Sequence, residues 1–157
     1  MVRSDSYNYG AAGPDAQPSA ASRHKEPPVT EPLTDPAAIV QAFIDAFVVM
    51  DFDTALTYIA DDCEYTNIPM GTVRGPAGVC EVLEPFAAPI HENEFIILRK
   101  AAAGPVVFLE RLDRHRLDHG WRELAVNSVF EVHDGRITVW RDYFDLGAAA
   151  KIHDPAA

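Results

Sequence analysis

Cysteine is scarce in this chain, with two among 157 residues, and Cys63 and Cys80 do not form a C-x-x-C pair. That spacing argues against a disulfide framework or a thiolate metal site, so both are expected as buried free thiols. Positive charge is also short. Thirteen Lys and Arg against 24 Asp and Glu give a formal net charge of −11, which argues against nucleic acid and anionic membrane as partners, since both need a basic face. No apolar run approaches the ~18 residues of a membrane span. The N-terminus has no apolar signal core, and a cytoplasmic protein is expected. Gly-rich phosphate loops and a Gly-x-Ser-x-Gly elbow are absent.

Large aliphatic residues are nearly missing from residues 1–32, which hold five of the twelve prolines. Such a stretch cannot bury enough apolar surface to offset its ordering entropy, so it is expected to be a flexible tail. Residues 33–150 are expected to form one domain and 151–157 a flexible C-terminus.

The rest of the chain is rich in patterned apolar residues. Asp35-Pro36 is a helix-start signal, and Ile39, Val40, Phe43, Ile44, Phe47 and Val48 recur at helical spacing. A short helix is expected over Asp53 to Ile59, closed by Asp61-Asp62. A strand over Cys63 to Ile68 and a loop over Pro69 to Gly75 follow. A third helix runs from Pro76 to Leu83 and breaks or kinks near Pro85. Strands are then expected over Phe95 to Leu98, Val106 to Leu117, Arg122 to Val132 and Arg136 to Phe144. Helices first and long antiparallel strands afterwards indicate an α+β domain, with helices on one face of a curved sheet and a ligand cavity between them.

Asp134-Gly135 predicts a hairpin turn, with two registers open. A two-residue loop sets Asn127 beside Asp142, and a three-residue loop with Gly135 in a bulge sets Val126 there. A slip of one residue would turn every side chain to the other face.

Within the strand over Val106 to Leu117, Leu109, Arg111 and Asp113 project to one face. Arginine keeps its proton and offers a fork of donors, so a buried Arg111 calls for a second carboxylate besides Asp113. Asp142, in Trp140-Arg141-Asp142-Tyr143-Phe144, can supply it. Tyr65 and Asn67, again two apart, add a hydroxyl and an amide that can fix a water molecule with an Asp. Two carboxylates around one arginine in an apolar cavity can divide acid and base roles once their environments separate their pKa values. An unperturbed Asp is only ~0.1% protonated at pH 7, so the acid must be buried. An acid on one side and a base with its water on the other suit addition of water across a strained C–O bond.

At these residues the chain resembles the limonene-1,2-epoxide hydrolase family, of NTF2-like (cystatin-like) α+β fold. The resemblance lies in Tyr65-Thr66-Asn67, Arg111-Leu112-Asp113 and Trp140-Arg141-Asp142-Tyr143-Phe144, in that order, and runs from about Ile39 to Leu146. It implies a mixed sheet with the N-terminal helices on its concave face and a deep apolar pocket. It implies Asp142 as general base, Tyr65 and Asn67 as partners of its water, Asp113 as general acid and Arg111 as the bridge between the carboxylates. It further implies one-step hydrolysis of a lipophilic epoxide to a vicinal diol with no metal or organic cofactor, and a homodimer. Ile44, Phe47, Phe86, Leu124, Val126 and Phe144 are implied as substrate-binding residues, which favours the three-residue hairpin loop.

Other constellations are weaker. His115 and His119 are four apart, but on a strand and its following loop rather than one helical face, so a metal site is not expected. Asp145 falls on the opposite strand face from Asp142 and is expected to be structural. Two further functions are weighed on the same fold: an isomerase or cyclase handling an enolate, and a non-catalytic binder of lipophilic molecules.

Overall fold

A computed structural model describes residues 33–156; the expected tail over 1–32 lies outside the described residues. Helix α1 (Pro36–Val48) starts where the Asp35 carboxylate accepts from the Ala38 N–H at 2.8 Å and Pro36 needs no N–H partner. Its buried stripe of Ile39, Val40, Phe43 and Ile44 is the one the periodicity predicts. Helix α2 (Phe52–Thr57) is shorter than expected. Ile59 to Asp62 belongs instead to strand β1 (Ile59–Asn67), so Asp61-Asp62 closes no helix.

The expected loop over 69–75 contains strand β2 (Gly71–Arg74), paired antiparallel with β1. Helix α3 (Gly75–Ala87) continues through Pro85. Proline there removes one backbone donor, and the helix ends two residues later, at Ala87. Gly75 begins it at φ +66°, where a Cβ would lie 2.5 Å from the Asp61 carbonyl oxygen; only glycine fits.

Strands β3 (Glu92–Ala103), β4 (Val106–Leu117), β5 (Gly120–His133) and β6 (Arg136–Tyr143) follow, and the short helix α4 (Leu146–Ala150) comes last. β3 is three times the expected length, because backbone pairing with β4 carries it past its apolar segment. The sheet order is β2-β1-β6-β5-β4-β3, with β1 and β6 parallel and the other neighbours antiparallel. This is the mixed α+β, NTF2-like architecture the resemblance implies. Among the described residues no helix is long and apolar enough to cross a membrane.

The β5–β6 hairpin departs from both expected registers. Asp134 and Gly135 have φ of 50° and 75°, and His133 pairs with Arg136, so the loop has two residues and a type I′ turn. Thr138 then bulges out of the ladder between the Val132–Ile137 and Glu131–Val139 pairs. The bulge shifts the pairing by one residue. Ser128, not Asn127 or Val126, therefore lies opposite Asp142. It also lets Ile137, Trp140 and Asp142 all turn inward, which strict alternation would forbid.

The core lies between α1 and the inward face of the sheet. Phe43 is fully buried, with its ring edge-on to Trp140 at 5.0 Å and to Phe130 at 6.0 Å. A second cluster joins Leu117, Leu124, Val126 and Ile90 to Ile152, which is 1% exposed. The packed domain therefore extends past the expected boundary at 150, because Ile152 supplies an apolar side chain that this cluster buries.

Candidate active site

Strand alternation delivers the site. Leu109, Arg111, Asp113 and His115 of β4 face inward and are buried, as are Leu124, Val126 and Ser128 of β5. β6 adds Trp140 and Asp142, and β1 adds Tyr65 and Asn67. The parallel pairing of β1 with β6 sets Tyr65 beside Trp140 and Asn67 beside Asp142. All of these side chains except Leu109 and Ser128 line a cavity of about 390 Å³ between the helices and the sheet.

The five polar residues singled out in the sequence meet in this cavity. Arg111 is 4% exposed and holds both carboxylates. Its Nε donates to Asp113 Oδ1 at 2.7 Å, and its Nη2 approaches Asp142 Oδ2 at 3.5 Å. Tyr65 donates its hydroxyl to Asn67 Oδ1 at 2.9 Å, leaving the Asn67 amide group free to donate. Tyr65 also stacks on Trp140, with centroids 4.0 Å apart and planes 26° apart. Ile44, Phe47, Phe86, Leu124, Val126 and Phe144 all line the same cavity.

Ser128, which no sequence pattern marks, completes the polar cluster. Arg111 Nη1 donates to its hydroxyl, which in turn donates to Asp142 Oδ1. Trp140 Nε1 donates to that same oxygen at 2.7 Å. Asp142 is thus fixed by an arginine, a serine and a tryptophan, while Asp113 is held through one oxygen only. Asp113 Oδ2 has no protein partner among the described residues and is not sealed away, so it opens on the cavity.

Burial dominates the electrostatics. It raises the Asp113 pKa to about 6, reinforced by Asp142 and opposed by Arg111. Arg111 feels the same burial in the opposite sense, but its two carboxylates outweigh that and hold it charged. Burial, followed by the Asp142 charge, pushes the Tyr65 hydroxyl well above the usual tyrosine range, so it stays protonated.

Other sequence candidates separate clearly. His115 lines the cavity, whereas His119 Nε2 lies 3.2 Å from the Ile152 carbonyl oxygen. Among the described residues no group of three or more His, Cys, Asp or Glu is placed to hold a metal. Asp145 caps α4, accepting from the Ala148 N–H at 2.7 Å.

Residues 34–152 match the profile of the limonene-1,2-epoxide hydrolase catalytic domain. The chain belongs to that family. This limonene-1,2-epoxide hydrolase family member is 37% identical over 107 residues to the epoxide hydrolase EphG of Mycobacterium tuberculosis, covering 68% of this chain and 71% of EphG. A solved M. tuberculosis epoxide hydrolase described as limonene-1,2-epoxide hydrolase-like superposes with TM-score 0.65 and 35% identity, over 74% of this chain and 86% of that one. An NTF2-like protein of unknown function from Burkholderia pseudomallei superposes with TM-score 0.67 at 18% identity, over 78% and 99% of the two chains. That last likeness shows the fold alone.

Proposed function

We propose that this family member opens a lipophilic epoxide to a vicinal diol in one step. The observation that carries the reading is Arg111, buried at the cavity floor with an ion pair to each of Asp113 and Asp142. A water molecule between Asn67, Tyr65 and Asp142 accepts from the Asn67 amide and gives a proton to Asp142. Its oxygen forms the new C–O bond from one face of the oxirane carbon. The opposite C–O bond breaks, and Asp113 gives its proton to the departing oxygen. Arg111 neutralises whichever carboxylate is charged at each stage. Ser128 and Trp140 hold Asp142 at the angle the water needs, which is where preorganisation lowers the barrier.

The walls narrow the substrate to an apolar body. Phe47, Phe86, Leu124, Val126 and Phe144 surround the polar floor, and the volume suits a small or medium-sized lipophilic molecule. A homodimer is part of the proposal. On the outer sheet face Ile96, Leu112 and Ala125 lie in register across β3, β4 and β5, with Leu98 and Phe108 also exposed; such a patch suits a partner surface. A cytoplasmic location agrees with two free thiols.

Single turnover in oxygen-labelled water, with enzyme in excess over a panel of terpene, styrene-type and steroid epoxides, tests the chemistry. Label in the diol from the first turnover is expected. First-turnover diol without label would mean that a carboxylate attacks instead. No diol from any epoxide would favour a non-catalytic binder of lipophilic molecules.

A further inference from the structure

The cavity holds a polar group that the proposed hydrolysis does not use. His115 is the next inward-facing residue after Asp113 on β4 and is 3% exposed. It lies directly across the β3–β4 ladder from Asn93, also buried, and its Nδ1 is 2.7 Å from Asn93 Oδ1. A carbonyl oxygen can only accept, so Nδ1 carries the proton and Nε2 keeps its lone pair. The Phe86 and Phe95 rings stand nearly perpendicular to the imidazole, with centroids at 5.2 and 6.0 Å, and limit its rotation. Nε2 has no protein partner among the described residues, and it is not sealed off, so it opens on the cavity.

Burial, His153 and Arg111 together lower the His115 pKa to about 4. The ring is therefore neutral at physiological pH, and its exposed nitrogen is an acceptor. The rings that touch it, Phe86 and Phe95, offer that lone pair nothing, and His153 is the other imidazole lining the cavity, with no hydrogen bond to His115 among the described residues.

We infer that His115, oriented by Asn93, accepts a hydrogen bond from a hydroxyl of the substrate, so that the favoured epoxide carries an alcohol about 7 Å from its oxirane oxygen, one two-residue step along the strand. The inference rests on the epoxide-hydrolase reading for its chemistry but not for its site. An apolar analogue would strip water from Nε2 and leave it unpaired, and a buried unpaired acceptor is costly. A carboxylate at the same place would meet a lone pair rather than a donor.

The test uses the full chain and terminal epoxides on the same graded alkyl chains, ending in hydroxyl, methoxyl or carboxylate. At the best-fitting length the hydroxyl compound is expected to exceed the methoxyl one by about ten- to a hundredfold in kcat/KM, mostly through KM. His115→Leu should bring those two to parity, and Asn93→Ala, which releases the ring, should shrink the preference without removing the imidazole. Equal rates for hydroxyl and methoxyl substrates in the parent protein would overturn the inference. So would a preference that survives His115→Leu, or one for the carboxylate. Should no epoxide turn over, calorimetry with the saturated alcohols and their methyl ethers decides the hydroxyl site independently. Tighter alcohol binding, lost in His115→Leu, would support it, and equal binding would reject it.

Discussion

At the scale of single residues, Arg111 joins the two carboxylates, and the proposed acid, Asp113, carries the pH prediction. In the proposed reaction Asp113 acts only while protonated, so kcat/KM should fall as pH rises through about 6. A profile flat from pH 5 to 9 in the parent enzyme would remove Asp113 from that role. The same shift has a stability consequence. The folded protein binds this proton more tightly than the unfolded chain, so the stability it contributes is complete below about pH 4 and lost as pH rises through about 6. Asp113→Asn cannot ionise. Measured against the parent by denaturant titration, its relative stability should therefore improve by about 2–3 kcal/mol between pH 4 and pH 7, while turnover is abolished. Ser128→Ala should keep the fold and lower kcat by about ten- to a hundredfold, because Asp142 loses one of its orienting donors. An Asp142→Asn variant with near-native turnover would end the assignment of the base.

Elements explain why some of this was legible in sequence and some was not. The Asp35 cap, the α1 stripe and the alternation of β4 are local patterns, and the last of these sets Arg111 and Asp113 on one face from sequence alone. Tyr65 and Asn67 were readable for the same reason. Ser128 was not, because its place opposite Asp142 depends on a bulge at Thr138 that no turn residue announces. In sequence His115 reads only as a possible metal partner for His119, since the Asn93 pairing that orients it comes from strand register. Strand β2 was hidden because Met70-Gly71-Thr72 reads as a turn, and pairing with β1 overrides that preference. Two element-scale outcomes follow. Gly75→Ala, strained in φ and overlapping the Asp61 carbonyl, should cost about 2 kcal/mol or more by thermal melting. Deleting Thr138 removes the extra residue, so Ile137, Trp140 and Asp142 should alternate inward against the same β5 partners and turnover should survive in a steady-state assay; its loss would mean that the bulge itself positions the site.

At the scale of the whole molecule, the cavity and the outer sheet face carry separate expectations. An unreactive diol or amide that fills the cavity at a hundred times its Kd should raise stability by about 2.7 kcal/mol, and no shift with any lipophilic probe would argue against a binding chamber. On the other face, Leu112→Glu should convert a dimer to monomer in sedimentation, since it places charge in the row formed by Ile96 and Ala125. A native protein sedimenting as a monomer would remove the dimer from the proposal.

The two halves of the chamber come from different parts of the chain. Arg111, Asp113, Ser128, Trp140 and Asp142 stand on the central strands β4, β5 and β6, whereas Ile44, Phe47, Leu83, Phe86 and Ala149 come from helices. Libraries randomised at the helical positions can therefore reshape which molecules enter, while the residues proposed to handle protons stay where neighbouring strands clamp them. Such a division of labour makes this scaffold a suitable starting point for evolving new selectivity without rebuilding the reaction.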